Sequence, residues 1–582
     1  MATITANLNG GDAITPDADL TFKVYGLIDN YTTAIATVGS ANTDANVSVN
    51  AGVVIIENVD LGLETFVKVT SIDEAGNESN QSTAFEVPDL IATFYVRPAG
   101  TTYGTGNGTS YANAWSGFAN IVNADVEGNT LAVCGTHTET FYVNFNGTID
   151  FDDANEAGNI DATGLGVGLS INGFDLLLKN PKVNNATVQN LYFENTTSIV
   201  ADGTANNSEN QGVQHWQDSN ITYIGAFVSN DNTDEGMSGH LNSIVTINGT
   251  FESKNNGQAA INQIEDSVFT INGLVDFSNN VTADIYSTNA TTAKSCKCVI
   301  NSNNTGLVLL SENGAEIEIN SGTYAEVAIE SNGFITANNV IIQDVSNFSG
   351  TLEVLNSYVV LGNYSPAASI LFNATNSNID LSTPPGNITI GSGNTVNIKR
   401  CRINGANAFA DQLITNESGN LVSIYNEFIN IPSNKFAIVV EDTSVSNVID
   451  NNVIDGNEVG RGILVQKDVT INNNVFIDTA IRIFIQLSAT LTMNNNLSFN
   501  AGSSSTSGGT LVENNALTSN PLFTDSANND YSLQAASPCI GAGATVANTL
   551  GIETANFGNL TTVPVIVTKE QIAPFDIGAY VS

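Results

Sequence analysis

A chain of 582 residues exceeds the usual size of one compact domain, and 42% hydrophobic against 13% charged residues excludes the composition of a disordered protein. Sixteen basic against 58 acidic residues leave a formal net charge of −42, a field that repels DNA, RNA and anionic membranes, so nucleic acid is not an expected partner. No run approaches 18 consecutive apolar residues, and membrane insertion is not expected either.

The polarity comes from Asn, Thr, Ser and Gly, which with Val and Ile suit strands and turns and are poor helix material, so almost no helix is expected. An anionic polysaccharide is repelled by the same field unless a divalent cation bridges the carboxylates. Five cysteines (Cys134, Cys296, Cys298, Cys401, Cys539) are few and odd in number, and read as buried small residues rather than a disulfide framework. Met1-Ala2-Thr3-Ile4 lacks a basic segment followed by an apolar one, so the expectation is release without a signal peptide, as by lysis, or a signal that Met1 replaces.

Residues 1–88 alternate short apolar stretches, such as Leu20–Tyr25 and Phe66–Val69, with Gly- and Asp-rich turns, a spacing that predicts a small β-sandwich ending at Val87-Pro88-Asp89. Its last segment, Val69-Thr70-Ser71 through Glu78-Ser79, resembles the final hairpin of bacterial immunoglobulin-like or fibronectin-type modules. From about residue 244 to residue 515 one phrase repeats, an apolar alternating strand running into asparagines. Ile449, Ile471 and Met493 are each 22 apart, with looser copies at Ile247, Ile271, Ile300, Ile319, Ile398 and Ile424. One strand and one polar corner per ~20 residues predicts a solenoid, which buries its inner face only by stacking. Asn tolerates left-handed backbone and stacks amide on amide, so the Asn runs are placed at the corners.

Both ends of this region resemble right-handed parallel β-helix proteins of the pectin-lyase-like superfamily. The opening is carried by Phe94–Gly100, by Gly104-Thr105-Gly106-Asn107-Gly108 through Trp115, and by Leu131–His137. The close is carried by Asn520-Pro521-Leu522-Phe523, Asp530–Leu533, Ser537–Gly543 and Asp576–Tyr580. The resemblance implies an all-β, right-handed single-stranded parallel β-helix with a cap and first rungs over 89–150, a helix over 151–519 and a C-terminal cap region over 520–582. About 15 rungs, roughly 70–80 Å of stack, are expected at ~4.8 Å per rung.

The pattern is interrupted between residues 209 and 240. There Asp231, Asp234, Glu235 and His240 are candidates for acid/base work on a sugar, and His215, Trp216 and Tyr223 for glycan binding. Asp231 and Asp234 are also candidate calcium ligands, the one cofactor considered. Asp234-Glu235-Gly236 through His240 resembles an Asp-Gly-x-x-x-His element of some pectin-lyase-like proteins, several of them viral. A second acidic run, Asp150–Asp161, matches a calcium loop poorly and reads as a solvated turn. Basic residues gather at Lys399, Arg400, Arg402, Arg461, Lys467 and Arg482, but the acidic motifs of pectate lyases and the catalytic set of polygalacturonases are not recognisable.

The reading expected from these features is a bacteriophage spike or fibre. In it the N-terminal domain docks onto other virion proteins and a β-helical rod contacts host surface polysaccharide. Many such spikes are homotrimers. The alternatives are a polysaccharide lyase or glycoside hydrolase of the same fold, and a secreted bacterial surface adhesin.

Overall fold

The computed structural model describes residues 92–289, 296–346, 348–361, 370–381, 387–405, 412–559 and 561–582 in full, together with the backbone of eight short strands between Ala2 and Glu86. Its contacts divide into two units, Met1–Phe94 with Asp125–Thr130, and Tyr95–Ala124 with Leu131–Ser582. In the first unit Val53–Val59 pairs antiparallel with both Ala2–Asn7 and Asn46–Asn50, while Leu20–Val24 lies between Ala34–Val38 and Val69–Ser71. The β-sandwich expected over 1–88 depends on the segments joining these strands, which lie outside the described residues.

The second unit is a parallel β-solenoid. Sheet A stacks the strands from Gly147–Asp150 to Thr510–Asn514. Sheet B stacks 17 strands from Phe141–Val143 to Leu497–Phe499, about 77 Å at 4.8 Å per rung. A third side is built twice, by the seven-stranded sheet C ending at Val275–Ser278 and by the six-stranded sheet D beginning at Ile388–Ile390. Among the described residues no helix is long and apolar enough to cross a membrane.

One inward column of sheet A carries the repeat. Tyr223, Ile247, Ile271, Ile300 and Ile319 pair in succession, and further along Ile449, Ile471 and Met493 do the same. All are buried, and each aliphatic member contributes on the order of 1.5–3 kcal/mol by leaving water. Ile424, taken as a repeat anchor, is one residue out of register. Ser423 pairs with Ile398 and Ile449 in the column, and Ile424 points outward. Ser423 fits inside because Asn426 donates to its Oγ, and Ile424 is buried outside against Tyr425 and Val581 of the C-terminal segment.

The Asn pairs divide the labour at the corner. Asn451, Asn473 and Asn495 take left-handed φ of 56°, 58° and 54°, which Asn tolerates better than other side chains. Asn452, Asn474 and Asn496 turn inward and are buried. The Asn474 amide donates to Ile449 O at 2.9 Å and to Asn496 Oδ1 at 3.1 Å. Its Oδ1 accepts from the Asn452 backbone N–H and Nδ2, both at 3.0 Å. The polar ladder is thus closed inside the core, as burial of amides requires.

Trp115 closes the first rung beside Val96, and Gly108 at φ +76° lies so near the indole that a Cβ there would be 2.6 Å from it. At the opposite end the last rung places polar residues in two of the core columns, where Glu513 follows Met493 and Thr506 follows Ile485, while Leu511 continues a third. Arg482 holds the Glu513 carboxylate at 2.9 Å, so the open end presents a charged pair to another strand beside Leu511 and Val512. The C-terminal segment lies along the flank of sheet B. Phe523, Tyr531, Ile552, Phe557 and Ile577 pack on Val453, Val475 and Leu497 of sheet B.

Candidate functional site

The sequence-predicted residues fall on two adjacent rungs but do not converge. His215 and Tyr223 lie inside the coil, fully buried. His215 Nε2 meets Tyr223 OH at 2.9 Å and Nδ1 donates to Ser238 O at 2.9 Å. Burial pushes the imidazole down to about 4, so it is neutral at physiological pH. The glycan-binding role expected of His215 and Tyr223 is therefore corrected: alternation along the strand turns both side chains inward. His137, the third histidine, is likewise buried, stacked 4.1 Å from Phe118 and lowered to about 4 by desolvation.

Asp231 sits at a corner with φ 58° and accepts from Asn255 Nδ2 at 3.0 Å, taking the same place in a ladder that Asn255 and Asn279 continue. Asp234 accepts from Gln258 Nε2 at 3.1 Å on the surface. Among the described residues no group of three or more His, Cys, Asp or Glu side chains is placed to hold a metal ion. Glu235 and His240 bracket the strand Met237–Gly239. Five residues along the chain, with a bend at Gly236, separate them. Among the described residues no hydrogen bond joins any two of Asp231, Asp234, Glu235 and His240. Trp216 and His240 are both partly exposed, their rings tilted against each other at 4.8 Å.

Glu235 has a structural explanation. It is buried, and its Oε1 accepts from Asn262 Nδ2 at 2.7 Å, leaving Glu235 Oε2 and Asn262 Oδ1 both without partners. Desolvation raises its pKa, and a proton on Oε2 supplies the donor that an acid–amide pair needs. Because the folded state holds this proton more tightly, the contribution is complete below the unfolded pKa and is lost as pH rises through the folded one. Glu235→Gln, which carries a permanent donor, is expected to match the wild type near pH 4. At neutral pH it should exceed it by about 1 kcal/mol in chemical denaturation, the scale of one unsatisfied buried group.

A second concavity, unsuspected from the sequence, lies on the outer face of sheet A. Thr336, Glu353, Asn373 and Asn397 stack in register down its floor, with Lys399 at one end, in a groove of about 530 Å³. It coincides with the shortest rungs: the inward column steps from Ile319 to Ala337, Val354 and Ala374 at spacings of only 18, 17 and 20 residues. Among the described residues neither sheet C nor sheet D has a strand there, which shortens the perimeter. That spacing was the available signal. Beyond Lys399 a second hollow of about 400 Å³ continues between Val422, Ile424 and Val448 and the segment Val546–Leu550.

The groove is furnished with hydrogen-bonding groups. Asn397 Nδ2 donates to Asn373 Oδ1 at 2.7 Å, and Asn373 Nδ2 to Glu353 Oε1 at 3.0 Å. The neighbouring cations are engaged structurally: Arg400 binds Leu550 O, Arg402 binds Glu427, and Arg482 binds Glu513. The Lys399 ammonium has no such partner among the described residues. The five cysteines are buried thiols, as expected. No protein-family model matches the chain, and no curated protein matches it at a significant level.

Proposed function

We propose that this protein is a receptor-binding rod that contacts surface glycans through the sheet A groove. The observation that carries the reading is the groove itself, an open channel crossing successive rungs and lined by amides, hydroxyls and an unpartnered ammonium. Sugars are recognised by such convergent polar groups on a rigid frame, and a solenoid supplies them at a fixed ~4.8 Å repeat. Placement on a bacteriophage virion, docking by the N-terminal unit, trimeric assembly and a right-handed coil of the pectin-lyase-like kind belong to the same proposal. An extracellular site fits the acidic, Asn- and Thr-rich surface.

The test is binding of the intact protein to an array of purified bacterial capsular and O-chain polysaccharides, followed by tryptophan fluorescence. The chain has two tryptophans, one capping the coil and one, Trp216, on sheet B. Binding in the groove is expected to leave the emission unchanged. An emission change moves the site to the Trp216 face, and appearance of new reducing ends makes the protein an enzyme.

A further inference from the structure

We infer that the groove selects a zwitterionic glycan, one whose sugars carry both acidic groups and free amines; this deepens the glycan reading and rests on it. Two charges of opposite sign, neither with an ion-pair partner among the described residues, face the same channel. Lys399 stands at one end with no hydrogen bond or ion pair of its side chain among the described residues. Glu353 stands two rungs away; its Oε1 accepts from Asn373, and its Oε2 has no partner among the described residues. Glu318, the other carboxylate of the groove, already has an ion-pair partner, Lys297 at 3.0 Å, which it shares with Glu316.

Two rungs along the stack and two residues along the strand place Glu353 and Lys399 about 12 Å apart, a distance that nearby sugars of one chain span. Asn373 and Asn397 lie between them, offering amides to the intervening hydroxyls. A purely anionic chain meets Glu353 and the field of a protein of net charge −42. A purely cationic chain meets Lys399. A neutral chain strips water from both charges without replacing it, which costs affinity. Only a chain with both signs satisfies both ends.

The experiment is equilibrium binding of the intact protein to oligosaccharides of equal length. De-N-acetylated heparosan alternates glucuronate with free glucosamine and is zwitterionic, heparosan itself is anionic, chitosan is cationic, and a cello-oligosaccharide is neutral. The zwitterion is expected to bind about tenfold more tightly than any of the others. Lys399→Ala should weaken it about threefold to fivefold and reduce its advantage over chitosan. Glu353→Gln should do the same and reduce its advantage over heparosan, as exposed charge contacts allow. Equal binding of the acetylated or neutral chain, or indifference to both variants, overturns the charge selection while leaving the glycan reading intact. Failure of all the chains to bind overturns both.

Discussion

Asn474→Leu is expected to cost about 4 kcal/mol of local stability, because it strands the buried Asn452 N–H and deprives Ile449 O and Asn496 Oδ1 of a donor, each loss on the order of 1–3 kcal/mol. Leucine fills the volume, so the cost is polar and not a cavity. A solenoid transmits such damage mainly to neighbouring rungs. Hydrogen exchange should therefore accelerate first in Ser446–Asp450, Val469–Asn472 and Thr490–Asn494. The exposed corner residue Asn279 provides the contrast. Asn279→Ala loses a left-handed preference and one bond to Asn255, about 1 kcal/mol, with no orphan left inside. Equal effects from both variants would mean that the buried amides are not the ladder described above.

Arg402→Ala is expected to release the C-terminal segment from the flank of sheet B. Glu427 is fully buried; Arg402 Nε donates to its Oε2 at 2.7 Å and Tyr580 OH to its Oε1 at 2.5 Å. The same guanidinium binds Asn529 O at 2.6 Å and lies 4.5 Å from the Phe557 ring. Removing it leaves a buried carboxylate with one neutral donor, a loss of about 3–5 kcal/mol. Burial raises the Glu427 pKa and Arg402 holds it back. Without Arg402 the folded pKa climbs further, so the variant's deficit grows as pH rises through the carboxylate range and shrinks in acid. Limited proteolysis should cut between residues 517 and 582 in Arg402→Ala at neutral pH. Arg402→Met with Glu427→Leu should resist, since two apolar partners leave no charge stranded.

These two sites mark what was legible in the sequence. The Asn ladder was, because a two-residue apolar alternation followed by a left-handed corner is a local pattern repeated often enough to outvote its exceptions. Ile424 was the exception: its environment comes from Val581, more than 150 residues later, which buries the outer face and lets Ser423 take the column. The closing phrases around Tyr531 and Tyr580 were recognisable, but their placement on the flank depends on the buried pair Arg402 and Glu427.

The site was harder to see. Residues 209–240 stood out by composition, yet Val213-Gln214-His215 keeps the alternation of the strand, and that parity alone puts His215 beside Val213 in the core. The groove is made of common residues, Thr336, Asn373 and Asn397, and is marked only by rungs that shorten to 17–20 residues. Lys399 looked like one of a basic cluster until its neighbours proved to be spent on internal carboxylates and carbonyls.

The most direct measurement is a polysaccharide binding titration of the wild type against Asn373→Trp, which sets a large ring on the outward floor of the groove without touching the inward column. Loss of binding by about thirtyfold or more, with an unchanged melting profile, is the result expected if the glycan lies across these rungs. Undiminished affinity in that variant would contradict it.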